Sequence, residues 1–198
     1  MNGHAACCLQ HVRAWTLIGV LLTAAGIQAF AADRGHPYRR DWKHSMFSKS
    51  ALAGTAARAG LAHAMNRPDV WGRGASGFGK RIGTSFGVHA VGTTVEHAVA
   101  ASLHEDLHYH RSDNPRFGPR LRHALVSTVW TRNTRNGKHR PAVGRISGHA
   151  AAGALSAAWV PAASGASTAG FGLAADAGAN VVREFWPRHT QRRRIRRS

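Results

Sequence analysis

The chemistry open to this chain sits in a few short stretches. Arg140-Pro141 precedes Ser147-Gly148-His149, which pairs a phosphate-binding cation with a histidine able to act as general acid or nucleophile. After His149 no further histidine follows until His189. His97, His104 and His108 recur at spacings of seven and four, which places them on one stripe of a continuous helix with His89 beside it. Such a stripe could hold zinc or another divalent ion, and Glu105 to His108 reads as the Glu-x-x-His unit that di-iron bundles use twice. Only one copy occurs, and 9 acidic residues do not easily assemble a second half-site. The preferred expectation is an amphipathic helix with a polar histidine face and no metal or other cofactor. Gly72, Gly74 and Gly77 satisfy G-x-G-x-x-G, but a phosphate-binding loop needs a preceding strand and a Ser or Thr where Arg81 stands. A connector whose Lys80 and Arg81 meet anionic groups fits better. No Gly-x-Ser-x-Gly elbow is present to serve a Ser-His-Asp triad.

These residues must be positioned by helices. Ser50 can cap a helix over Ala51 to Met65 that Pro68 stops, and Trp71 to Gly79 reads as a Gly-rich connector. Further helices are expected from about Lys80 to Leu107, Leu121 to Trp130, Val143 to Val160 and Thr168 to Phe185. Asn114-Pro115 and Gly118-Pro119 mark one loop, and Asn136-Gly137 marks a polar turn over Thr131 to Pro141. The fold class is therefore all-α, four to five helices in one domain over residues 51–187, preceded by an exposed lead-in at 32–50 and followed by a disordered basic tail at 188–198. Small residues recur every fourth position at Gly144, Gly148, Ala152 and Ser156, and again at Ala166, Gly170, Ala174 and Gly178. Glycine inside a helix costs roughly 1 kcal/mol against alanine, so such stripes make sense where another backbone approaches closely. Ala/Gly faces are thus expected to pack the helices and could also join copies into a homo-oligomer.

Destination is read from the first residues. Arg13, the apolar run Trp15 to Ile27 and the A-x-A pattern at Ala29 and Ala31 describe a secretory leader over 1–31. Its removal takes away both cysteines, Cys7 and Cys8, and with them thiol chemistry. The formal charge of +18 then belongs almost wholly to the exported chain. Outside the cytoplasm such a charge seeks anionic lipid or another envelope polyanion, and no specific nucleic acid is expected as a partner. Membrane or anion contact is assigned to Lys80, Arg81, Trp130, Trp159, Trp186, Arg192, Arg193 and Arg194, because tryptophans close three apolar segments and arginines crowd the tail.

Two resemblances accompany these residues. Arg140-Pro141 with Ser147-Gly148-His149 resembles the membrane phosphatase pattern, with Ile146 where that pattern has proline and without its downstream histidine backed by aspartate, and the alternative function is a metal- or phosphate-dependent hydrolase built around the His97 to His110 segment, Arg140 and His149. Gly77-Phe-Gly-Lys-Arg-Ile-Gly83, Leu103-His-Glu-Asp-Leu-His-Tyr109, the Asn136-Gly137 turn and Arg183-Glu-Phe-Trp-Pro187 together resemble a group of bacterial cell-envelope proteins of no assigned activity, over about 120 residues. That group's central segment reads His-x-Asp-Pro-Arg-Tyr, so His104, Asp106 and Tyr109 match while Leu107 and His108 depart. The resemblance implies a helical, membrane-linked domain and brings no reaction with it; the function expected of the chain is structural or interactive.

Overall fold

A computed structural model of the chain describes residues 37–160 and 164–186. The leader, the tail and its Arg192, Arg193 and Arg194 lie outside them. Among the described residues the fold is all-α apart from one hairpin. Its elements are α1 (Pro37–Phe47), α2 (Lys49–Ala64), a short 3-10 turn (Asp69–Trp71), α3 (Ala75–Leu103), α4 (Phe117–Val126), β1 (Trp130–Arg132), β2 (His139–Pro141), α5 (Val143–Trp159) and α6 (Gly165–Phe185). The long helix α3 is the spine. Helices α1 and α2 flank it on one side, α5 lies along it on another, α6 packs on α5, and α4 packs on α6.

Several boundaries differ from expectation for physical reasons. The described part of the lead-in is a helix with one buried face: Tyr38, Trp42 and Met46 recur at every fourth residue, and α1 buries Tyr38 and Met46 while the Tyr38 hydroxyl donates to the Glu105 carbonyl at 2.7 Å. Among the described residues this makes six α-helices where four or five were expected. Ser48, not Ser50, caps α2 by accepting from the Ala51 amide at 3.2 Å. Helix α3 begins at Ala75, inside the presumed connector, and closes at Leu103 because His104 turns left-handed at φ 55°. Trp130 begins a strand instead of ending a helix, and Thr131 to Pro141 is an antiparallel hairpin in which Trp130 pairs with Pro141. Gly137 supplies the positive φ of 67° that its tip requires.

Close approach replaces bulk in the core. Its buried apolar residues are mainly alanine and valine, and the largest fully buried side chains are Arg81, Glu105 and Glu184. Helices α3 and α5 meet through Gly92, Gly144 and Gly148. A Cβ on Gly144 would lie 2.9 Å from the Glu96 carbonyl oxygen, so the stripe on α5 faces a backbone as expected. On α6 the expected stripe is corrected: Ala166, Gly170, Ala174 and Gly178 are exposed. The adjacent face, with Gly165 and Gly172, meets α5, where a Cβ on Gly165 would lie 2.8 Å from the Gly153 carbonyl oxygen.

The buried charges fasten loops to helices. Arg81 does not meet external anions. It is 2% exposed and donates to the carbonyls of Arg67, Pro68 and Gly72 at 2.9, 2.8 and 2.7 Å, so it gathers the turn between α2 and α3. Glu184 receives the Tyr109 hydroxyl at 2.8 Å, the Ser112 amide at 3.2 Å and Arg120 Nε at 2.8 Å, tying the loop before α4 to the end of α6. Burial by itself would raise the Glu184 carboxyl, but Arg120, Tyr109 and the Ser112 amide outweigh it and hold the group below the usual carboxylate range. Stability from this group is complete above about pH 4.3 and is lost as pH falls toward the folded value. Acid unfolding followed by circular dichroism should show Glu184→Gln weaker than wild type at neutral pH but flatter below about pH 4. Parallel acid curves would refute the assignment.

Candidate functional site

A polar cleft of about 630 Å³ opens between α1 and α2 on one side and α5 and α6 on the other, with α3 as its floor. Its inner wall is a charge relay across three helices. Arg145 Nε lies 3.6 Å from Glu96 and 3.7 Å from Asp176, and His149 Nε2 donates to Asp176 at 2.8 Å. Helix geometry explains the match. Arg145 and His149 are one turn apart on α5, as are Gly172 and Asp176 on α6, so a single register aligns both pairs. Arg145 is held in place by donating to the Ser127 and Thr128 carbonyls at 2.8 and 3.0 Å. Burial raises the Glu96 carboxyl above the ordinary range despite the opposing pull of Arg145.

Both edges of the His149 ring face α6. Nε2 is committed to Asp176, and the Nδ1 edge lies over Gly172, where any Cβ would collide with it. His149 therefore bolts α5 to α6. Arg140 is not beside it: Arg140 donates to the Leu103 carbonyl at 2.8 Å and stands 3.6 Å from Glu105. The arginine that the fold brings to His149 is Arg145. Glu105 in turn accepts the Val143 and Gly144 amides at 3.1 and 2.8 Å, capping α5 where its own Ala142 offers no side-chain cap.

The histidine stripe does not form, because α3 ends before His104. His97 is buried on α3 with Nδ1 donating to the Thr93 carbonyl at 2.8 Å, and burial lowers its proton affinity. His104 is the left-handed residue that closes α3, and His108 is exposed, 3.3 Å from Asp106. Among the described residues no group of three or more His, Cys, Asp or Glu could hold a metal ion.

The residues assigned to anion and membrane contact divide. Arg81 is interior and Lys80 is exposed. Trp130, Trp159 and Trp186 are 47%, 69% and 66% exposed. Lys80 and Trp159, far apart in sequence, line one apolar groove of about 560 Å³ together with Trp71, Gly83, Gly87 and Leu155. Elsewhere on α3, Phe78, Ile82, Phe86 and Val91 are also part-exposed. No described helix is long and apolar enough to cross a membrane.

No family model matches the chain, and comparison with curated proteins and with solved structures yields no match either. The assignment of the two surfaces therefore rests on their own residues. Asp176 and Glu96 were missed as site residues, although each was visible as a carboxylate within a largely apolar segment. The groove was missed because its walls come from α3 and α5, and its glycines carry no side-chain signal.

Proposed function

We propose that this is an exported, membrane-associated protein of a bacterial-type cell envelope with a structural or interaction role, held at an anionic bilayer surface through the apolar groove between α3 and α5. The observation that carries the reading is the groove in which Lys80 and Trp159 share an apolar wall. An exposed indole beside aromatic and aliphatic side chains suits the boundary between headgroups and acyl chains, and Lys80 with the chain's +18 charge suits anionic headgroups. Exposed apolar grooves mark interaction surfaces in general. The leader at 1–31 and the envelope-protein resemblance supply the compartment. A phosphate-dependent hydrolase on Arg140 and His149 draws no support from the geometry, since the two are engaged at different places.

Sedimentation with vesicles tests the surface. Wild type should bind phosphatidylglycerol-containing vesicles, Trp159→Ala should bind about tenfold more weakly, and Lys80→Glu about fivefold more weakly. Unchanged binding by both variants would remove the surface from consideration. Export is tested separately by cell fractionation and mass-spectrometric reading of the N-terminus, which should fall near Ala32.

A further inference from the structure

We infer that the polar cleft over α3 is a binding site for a phosphate-bearing molecule, with Arg58 and Arg183 as its anion-recognising residues. The inference is independent of the membrane reading, because cleft and groove share only Val88 among their lining residues.

Every carboxylate lining the cleft already has a cationic or histidine partner within 4.0 Å: Asp176 has His149 and Arg145, Glu96 has Arg145, and Asp41 has His108 at 3.9 Å. The arginines are not so matched. Arg145 is consumed by this network, whereas Arg58 on α2 and Arg183 on α6 line the cleft with no ion pair or hydrogen bond among the described residues. What the cleft has left to offer is therefore cationic, and it comes from two different helices. Guanidinium groups meet phosphate oxygens with paired, charge-assisted hydrogen bonds.

Other features of the cleft agree. The first turn of α2, with Ser48 and Ser50, opens on it, so the positive end of that helix adds to the field of the arginines. On the α3 floor, His89 Nε2 is buried with no hydrogen-bond partner, a polar atom left unsatisfied where such atoms are rare. The volume of about 630 Å³ exceeds what an isolated phosphate fills and suits a small organic phosphate or the headgroup of a phospholipid.

The test uses the full chain and two probes: glycerol 1-phosphate, by calorimetry, and phosphatidic acid vesicles, by sedimentation. Arg58→Gln with Arg183→Gln should weaken binding of at least one probe about tenfold. The exposed pair Arg122→Gln with Arg132→Gln, outside the cleft, should leave it within about twofold. Loss of glycerol 1-phosphate binding assigns a soluble ligand, and loss confined to the vesicles assigns a lipid headgroup. Either supports the site. No saturable binding of either probe, or equal weakening by the two double variants, overturns it. Both substitutions lie at exposed positions, so circular dichroism matching wild type accompanies each comparison.

Discussion

Gly148→Val should destabilise the protein by about 3 kcal/mol, read as a lowered midpoint in urea unfolding. A Cβ at this position would stand 2.7 Å from the Gly92 carbonyl oxygen and 2.8 Å from Glu96 Cβ, so the obstruction is mostly helix backbone and cannot rotate away. Valine adds two methyl groups beyond that Cβ, and the small gain in helix propensity over glycine cannot compensate. The helices must separate, and the partners of Arg145 and Glu96 separate with them. Gly170→Ala is the internal contrast, because nothing lies within 4 Å of a Cβ there and the change should stabilise by up to about 1 kcal/mol. Equal midpoints for Gly148→Val and wild type would mean that α3 and α5 do not approach as described.

Glu105→Ala carries the other large effect, a loss on the order of 3 kcal/mol. Its carboxylate is 1% exposed, accepts from two donors, the Val143 and Gly144 amides, and faces the Arg140 guanidinium at 3.6 Å. Removing it leaves the first turn of α5 uncapped in the interior and Arg140 without its counter-charge. Glu105→Gln keeps one acceptor oxygen and should lose roughly half as much. Thermal unfolding of the two variants checks the order, and an alanine variant no weaker than the glutamine variant would contradict the capping role.

The helices were legible where composition and punctuation agreed. Asn136-Gly137 located the hairpin tip, and the Gly144 to Ser156 stripe identified the face of α5 that meets a backbone. Elsewhere local signals were ambiguous or absent. Arg39, Arg40 and Lys43 obscured the apolar face of α1, although Tyr38, Trp42 and Met46 shared one. Leu103-His104-Glu105 contains neither glycine nor proline, so the left-handed turn at His104 that closes α3 has no signal in the local sequence. The stop is tertiary, made by Glu105 reaching the start of α5 and pairing with Asn133. On α6, two adjacent faces are both rich in small residues, and the inward one is that which carries Asp176 to His149.

The cleft was legible only in pieces. Arg145, His149 and Asp176 stood out as rare polar groups in apolar helices, but nothing in the sequence said that one register would bring them together. Distance along the chain hid the rest: Arg58 and Arg183 belong to one cavity only because α2 and α6 both border α3's floor.

A core of alanines and glycines, with Arg81, Glu105 and Glu184 as its largest fully buried side chains, also fixes how this protein responds to temperature. Unfolding exposes apolar area, which raises heat capacity, and polar area, which lowers it. Small apolar side chains contribute little of the first, while backbone brought close together and buried charge contribute much of the second. The heat-capacity increment of unfolding is therefore expected to be low for the chain's length and the stability curve broad and shallow, which scanning calorimetry reads directly. Cooling weakens such a protein less than it weakens one built on leucine and phenylalanine.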